Sequence, residues 1–152
     1  MRTRQVLCPT DFSKTAENAL EYAIELANLY QVDIRLLHVM SSPYGKHNYG
    51  IIVETPEELE HHLEAYSLEK MQALLANIEN KLEAGLSVKT VIRSGGTAPQ
   101  ILEEAAEHDV GMIVLASHHG ASTLHFLHAN LAEELVHKAK CPVLVVKDAT
   151  ME

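Results

Sequence analysis

The chain has 152 residues, 47% of them apolar and 22% charged, which is typical of one globular domain spanning residues 1–152. The formal net charge of −9 disfavours binding to nucleic-acid phosphates. No apolar run approaches the roughly 20 residues of a transmembrane helix, and the N-terminal one ends at Pro9, too short for a signal peptide, so we expect a cytoplasmic protein without membrane contact.

Five short runs rich in branched apolar residues, bounded by turn-forming residues, predict buried strands. In chain order they are Gln5–Cys8, Asp33–Met40, Ser87–Arg93, Gly111–Leu115 and Pro142–Lys147. A helical pattern lies between each strand and the next. Strands that alternate with helices form a parallel sheet covered on both faces, so the predicted fold class is α/β with a five-stranded parallel sheet.

The first two helical patterns follow the first two strands. The first repeats apolar residues at a 3.6-residue period over Ala16–Ala27. The second opens with the capping box Thr55–Glu58, has proline at its first helical position, and is expected to end at Gly85. The irregular stretch before it, Ser41–Glu54, is either a lid over the sheet or a plain surface loop.

Two more helical patterns follow the third and fourth strands. One begins at Thr97–Gln100 and is expected to bury Ile101, Leu102, Ala105 and Ala106. The other is expected to bury residues along the run Leu127, Leu131, Leu135, Val136 and Ala139. Pairs of carboxylates fall within the helical patterns, where a solvated polar face explains them: Glu57–Glu58, Glu103–Glu104 and Glu133–Glu134.

The segment Pro9–Ser13 joins the first strand to the first helix. Asp11 or Ser13 can cap that helix, because both side chains accept hydrogen bonds from free amides. Alternatively, Asp11 lies at the mouth of the sheet and accepts a hydrogen bond from a ligand. The residues alone favour the cap, since helix starts of this kind are common.

The loop after the fourth strand is rich in histidine and raises the question of a metal site. Two of its histidines are adjacent and two are three residues apart: His118, His119, His125 and His128. No cysteine or carboxylate completes a recognised ligand spacing, so we expect no metal. The remaining helix histidines are expected at the surface, and the two cysteines as buried free thiols: His61, His62, His108, His137, Cys8 and Cys141.

No set of residues predicts catalysis. The sequence contains no GxSxG elbow, no P-loop and no HExxH pair. A hydrolase needs a nucleophile or an activated water together with an orienting base, and no such group can be assembled. We therefore expect a protein that is not an enzyme.

The order of elements, with the stretches VLCPTDFSKTAENALEYAIELA, IRLLHV, IRSGG, MIVLASHH and NLAEELVHKAKCPVLVVK, resembles the universal stress protein family over nearly the whole chain. The resemblance implies a Rossmann-like domain in a cytoplasmic stress-response protein. It also implies a homodimer paired through the last strand, Pro142–Lys147. The layout is similar to that of proteins that bind adenine nucleotides between the first and fourth strands.

Family members that bind ATP carry the motif G-x2-G-x9-G-[S/T] after the fourth strand. Counted back from Cys141, its glycine positions hold Ala116, His119 and Ala129 here. A frame that uses Gly120 leaves only eight residues before Ala129, so neither frame restores the motif. The resemblance thereby marks a set of phosphate-loop positions: Ala116, Ser117, His118, His119, Ala129, Asn130 and Leu131.

The loss of the glycine motif affects the binding of the phosphates more than the binding of the base. Glycine lets backbone amides approach a phosphate, whereas the imidazole of His119 is large enough to fill that volume. The adenine half keeps its residues, because Asp11 matches the family residue that contacts the base and Val39 the one whose backbone does so. Pro9 and Thr10 accompany Asp11 on this side.

Two functions stay open. The loop resembles that of the subfamily typified by the enterobacterial universal stress protein A, whose members lack the motif and are not regarded as ATP binders. This favours a homodimer that acts through contacts with an unidentified protein partner. The alternative is an adenine-nucleotide module in which His118, His119 and Asn130 take over the phosphate contacts, with AMP preferred to ATP.

Overall fold

The structure is a computed structural model that describes residues 4–40, 56–117 and 129–147. Its strands and helices alternate along the chain. The strands are β1 Gln5–Pro9, β2 Ile34–Met40, β3 Val88–Ser94, β4 Val110–Ala116 and β5 Val143–Val146. The helices are α1 Lys14–Tyr30, α2 Pro56–Ile78, α3 Thr97–Glu107 and α4 Ala129–Lys138, with a short 3-10 turn at Glu79–Lys81.

The strands form one five-stranded parallel sheet in the order β3-β2-β1-β4-β5. The chain winds outward from β1 to β2 and β3 and then returns to the other side of β1 as β4. The strand order therefore reverses between β1 and β4, and such a switch point is where open α/β sheets bind ligands, at the carboxyl ends of the strands. The predicted α/β class is confirmed.

Helices cover both faces of the sheet because both faces are apolar. One face packs against α1 and α2, in a cluster that includes Ala23 and Met71. The opposite face packs against α3 and α4, in a cluster that includes Ile101 and Leu135. All seven residues of β2 are buried between these layers. A polar side chain in β2 must therefore find its partner inside the protein.

The start of α1 distinguishes the two predicted caps. Ser13 is the N-cap, and its Oγ accepts a hydrogen bond from the backbone N–H of Ala16 at 3.1 Å. The helix then buries the apolar stripe predicted from its period. It ends where Gln31 takes the left-handed conformation, with φ at 57°, and donates its backbone N–H to the carbonyl of Ala27.

The second helix ends earlier than predicted. It stops at Ile78, and the 3-10 turn then leads to Leu82, which is extended and packs against the core. Gly85, with φ at 91°, instead serves the turn into β3, in a conformation that favours glycine. Thr55 of the predicted capping box and the stretch Ser41–Glu54 lie outside the described residues.

The third helix buries a different face from the predicted one. Ile101 is buried and Leu102 and Ala105 are partly buried, but Ala106 is exposed. Glu104, expected on a solvated face, is only 1% exposed. The helix is rotated so that this carboxylate, rather than the Ala106 methyl, faces the sheet.

Two arginines explain the burial of Glu104. Its Oε2 accepts a hydrogen bond from Arg35 of β2 at 2.7 Å, and its Oε1 accepts one from Arg93 of β3 at 2.8 Å. Gln5 of β1 also accepts a hydrogen bond from Arg35, at 3.2 Å. A buried charge is tolerated when it is paired and hydrogen-bonded, and here both conditions hold.

The fourth helix buries Leu131 and Leu135, as predicted, whereas Val136 is 55% exposed and does not lie on the apolar face. Leu127, part of the predicted run, lies outside the described residues. Among the helices that the structure describes, none is both long enough and apolar enough to cross a membrane.

Candidate functional site

The site is the carboxyl edge of β1, β2 and β4, at the switch point of the sheet. The strand register relates its residues, since Pro9 pairs with Leu37 and Leu7 pairs with Ile113. The N–H of Thr10 extends the β1–β2 pairing by one residue, to the carbonyl of Leu37, and Asp11 follows it. Val39 lies one residue before the end of β2, and Ala116 is the last residue of β4. Residues far apart in sequence thus reach one edge of the sheet.

The connection Thr10–Ser13, called here the β1–α1 turn, is held by its own side chains. The backbone N–H of Phe12 donates to Thr10 Oγ1, and the N–H of Ser13 donates to Asp11 Oδ1, both at 3.0 Å. The N–H of Thr10 continues the sheet by donating to the carbonyl of Leu37 at 2.8 Å. Asp11 therefore supports the turn, while Ser13 caps the helix.

Phe12 is the strained residue of this turn. Its φ is 67°, in the left-handed region that a bulky residue rarely adopts and that costs on the order of 1 kcal/mol. Thr10, Asp11 and Ser13 around it are buried, with Asp11 8% exposed. A polar turn that is buried and strained at the mouth of a sheet is a typical setting for ligand recognition.

His38 belongs to the same site, although its role could not be read from the motif that contains it. Its Nδ1 lies 2.8 Å from the carbonyl oxygen of Thr10, and its ring centroid lies 4.4 Å from that of Phe12. Burial lowers the pKa of His38 below its ordinary value of 6.5, opposed by the hydrogen bond to Thr10 and by the charge of Asp11. The sequence signal was a polar residue inside an otherwise apolar strand.

The predicted phosphate-loop positions are only partly brought together. Ala116 is buried at the end of β4, and the backbone N–H of Ser117 donates to the carbonyl of Val146. That amide belongs to the sheet and is not available to a phosphate. Asn130 is exposed in the first turn of α4, whereas Leu131 is in the core.

The remaining positions of this loop lie at the start of α4 or outside the described residues. Ala129 is the first residue of α4, and His118 and His119 lie outside the described residues. His125 and His128 of the metal hypothesis lie outside them as well. Over residues 4–40, 56–117 and 129–147, no three His, Cys, Asp or Glu residues are grouped so that they hold a metal ion.

The helix histidines mostly lie where the sequence predicts them. His61, His62 and His137 are exposed. His108 is not on the helix surface but follows the end of α3, where its Nε2 lies 3.7 Å from Glu104 Oε2. Its ring therefore lies beside the buried Glu104 carboxylate at the end of the helix.

The two cysteines differ from each other. Cys8 is fully buried in β1, and burial raises the pKa of its thiol to about 12. Cys141 is only partly buried, so the prediction of two buried thiols is correct for Cys8 alone. Burial also raises the pKa of Cys141, with a smaller opposing effect from the charge of Arg4.

Known proteins resemble this chain along almost its full length. The model of the universal stress protein family matches residues 2–147. Universal stress protein MJ0577 of Methanocaldococcus jannaschii is 30% identical, over 95% of this chain and 94% of its own. Its solved structure superposes with a TM-score of 0.78 and covers 97% of this chain and 98% of that chain.

Two further solved structures share the fold. Universal stress protein UspA of Lactobacillus plantarum is 23% identical with a TM-score of 0.77, covering 96% of this chain and 99% of its own. A universal stress protein of Archaeoglobus fulgidus in complex with dAMP is 19% identical with a TM-score of 0.65, covering 97% of this chain and 100% of its own. With the family model matched from residue 2 to residue 147, the chain belongs to the universal stress protein family.

Proposed function

We propose that this chain is a cytoplasmic stress-response protein that binds the adenosine part of an adenine nucleotide at the carboxyl edge of β1, β2 and β4, without turnover. The observation that carries the proposal is the placement of Asp11. This carboxylate is buried in a strained turn at the switch point, two residues after the end of β1. Such an edge is the ordinary ligand site of an open α/β sheet.

At the 6-position of the purine, the Asp11 carboxylate distinguishes adenine from guanine. A carboxylate only accepts hydrogen bonds, and its two oxygens offer about four lone-pair sites. It can therefore accept from the 6-amino group of adenine while it also accepts from the N–H of Ser13. Guanine carries a carbonyl oxygen at that position, and two acceptors facing each other in a buried site repel.

The phosphate side favours a monophosphate over a triphosphate. Alanine stands at two of the motif's glycine positions, and the N–H of Ser117 is committed to the sheet. The amide of Ser117 is thus unavailable to a long phosphate chain, while Asn130 is exposed at the start of α4. The Archaeoglobus protein in complex with dAMP supports the idea that this fold holds an adenine monophosphate.

Calorimetric titration tests the proposal with AMP, GMP and ATP. We expect saturable binding of AMP and weaker binding of both GMP and ATP. Asp11→Asn keeps a carbonyl for the N–H of Ser13 but replaces the other acceptor by a donor. Loss of a charged acceptor weakens AMP binding about 10- to 100-fold and narrows the preference over GMP.

Asp33→Asn is the matched control. Asp33 also accepts a backbone N–H through one carboxylate oxygen, from Ser87 at 2.9 Å, but it lies at the opposite edge of the sheet. Its variant should bind AMP like the wild type. A wild type that binds no nucleotide, or two variants with equal losses, would contradict the proposal. Release of ADP from ATP would contradict the absence of turnover.

A second candidate is the nucleotide-independent homodimer that acts through protein contacts. The observation in its favour is the edge strand β5, where Leu144 is 37% exposed. We propose that a second copy of the chain pairs along Pro142–Lys147. Sedimentation should show a dimer for the wild type and a monomer for Leu144→Glu; a monomeric wild type would contradict it.

A further inference from the structure

His38 connects the two residues of the proposed adenine site. It precedes Val39 in β2, and its ring reaches the β1–α1 turn, with Nδ1 2.8 Å from the carbonyl oxygen of Thr10. A carbonyl oxygen only accepts, so the neutral ring carries its proton on Nδ1 and donates it to Thr10. One side chain thereby ties the end of β2 to the turn that follows β1.

The turn needs this support because of Phe12. Its left-handed backbone is retained only when the surrounding contacts over-determine it. The ring of Phe12 stacks on the ring of His38 at 4.4 Å, with 37° between the planes. Asp11 lies between two residues that His38 contacts, Thr10 on one side and Phe12 on the other.

We propose that His38 is the positioning residue for base recognition, which directs the carboxylate of Asp11 relative to the backbone of Val39. The inference rests on the proposed adenosine site. His38 acts through the turn, while Asp11 makes the contact with the base. Adenine selectivity then depends on the hydrogen bond from His38 to Thr10 as well as on Asp11 itself.

Two substitutions separate the hydrogen bond from the ring. His38→Asn places an amide N–H close to the position of Nδ1 and so keeps the donor without the ring. His38→Phe keeps an aromatic ring but leaves the buried carbonyl of Thr10 without its donor. We expect His38→Phe to weaken AMP binding about tenfold and His38→Asn to stay within about threefold of the wild type.

The readout is the ratio of AMP to GMP affinity, measured by calorimetry on protein that circular dichroism shows to be folded. A purely structural residue would lower stability without changing this ratio. Ile78→Ala provides that control, because Ile78 is buried at the far end of α2. It should unfold at lower temperature and keep the wild-type ratio.

Different results refute the adenosine site and the role of His38. A wild type that binds neither AMP nor GMP overturns the proposed function. A wild type that selects AMP, together with a His38→Phe protein of unchanged affinity and ratio, overturns the role of His38 alone. If His38→Phe does not fold, His38→Gln takes its place, because the glutamine amide lies away from the position of Nδ1. Equal AMP binding by His38→Asn and His38→Gln then overturns the proposed role of His38.

Discussion

Replacing Glu104 by Gln should destabilise the protein strongly, although the two side chains have nearly the same shape. The carboxylate is 1% exposed and lies between Arg35 and Arg93. The amide keeps one acceptor oxygen but turns an NH2 group toward the other guanidinium. Arg35, whose side chain is 8% exposed, then remains buried without a countercharge.

The magnitude follows from this burial. Breaking a buried ion pair by removing one partner costs about 3–5 kcal/mol of unfolding free energy. The lower end applies because one hydrogen bond survives, so we expect a loss of about 3 kcal/mol. For a chain of this size, that corresponds to a melting temperature lower by about 6–12 °C.

Urea unfolding followed by circular dichroism measures the effect, since the chain has no tryptophan. Glu103→Gln is the matched control on the same helix. Glu103 is 53% exposed and lies 3.4 Å from Arg93, and an exposed pair of this kind contributes less than about 1 kcal/mol. Arg35→Met combined with Glu104→Gln should cost less than the sum of the two single changes.

A loss of stability from Glu104→Gln no larger than that from Glu103→Gln would refute the prediction. Simple addition of the costs of Arg35→Met and Glu104→Gln would refute it as well, because residues that share a buried pair must show a coupling energy. Either result would mean that water or other groups compensate the charge of Arg35.

Three further predictions concern the buried polar residues. Ser13→Ala removes the cap of α1 and should cost about 1 kcal/mol in urea unfolding, whereas an unchanged midpoint would exclude the cap. Burial raises the thiol pKa of Cys8 to about 12, so an alkylating reagent at pH 8 should label Cys141 first and Cys8 only after the protein unfolds. Labelling of Cys8 in the folded protein would refute this prediction. The pKa of His38 is lower in the folded than in the unfolded protein, so the unfolded chain binds more protons in the pH range between the two values. The free energy of unfolding should therefore fall as the pH drops below 6.5, towards the lowered pKa of the folded state. His38→Gln should lessen that fall, measured from pH 7.5 to pH 5.5; an identical pH dependence would contradict it.

The strands and helices were predictable because their signals are local. Branched residues such as Val143 and Val146 mark a strand from sequence alone, and the period of α1 marks its buried face. The end of α2 was not predictable in this way. Gly85 is a strong stop signal, but the chain already turns after Ile78 so that Leu82 packs against the core.

The candidate site was predictable only in part, because the missing information is long-range. Asp11 and Val39 came from the resemblance, and the structure places both near the carboxyl ends of the paired strands β1 and β2. The burial of Glu104 depends on Arg35, which is 69 residues away, so the polar pattern of α3 alone suggested solvent. Arg35 and His38 were the available signals, since polar side chains inside a doubly covered strand require internal partners.

An NMR titration of the folded protein with AMP tests directly whether an adenine base binds at the switch point. The backbone amides of Asp11, Val39 and Ala116, which lie at one edge of the sheet, should shift together and saturate at one affinity. GMP at the same concentration should shift them less. Saturable shifts confined to other parts of the chain, or equal shifts with GMP, would show that adenine does not bind selectively at this edge.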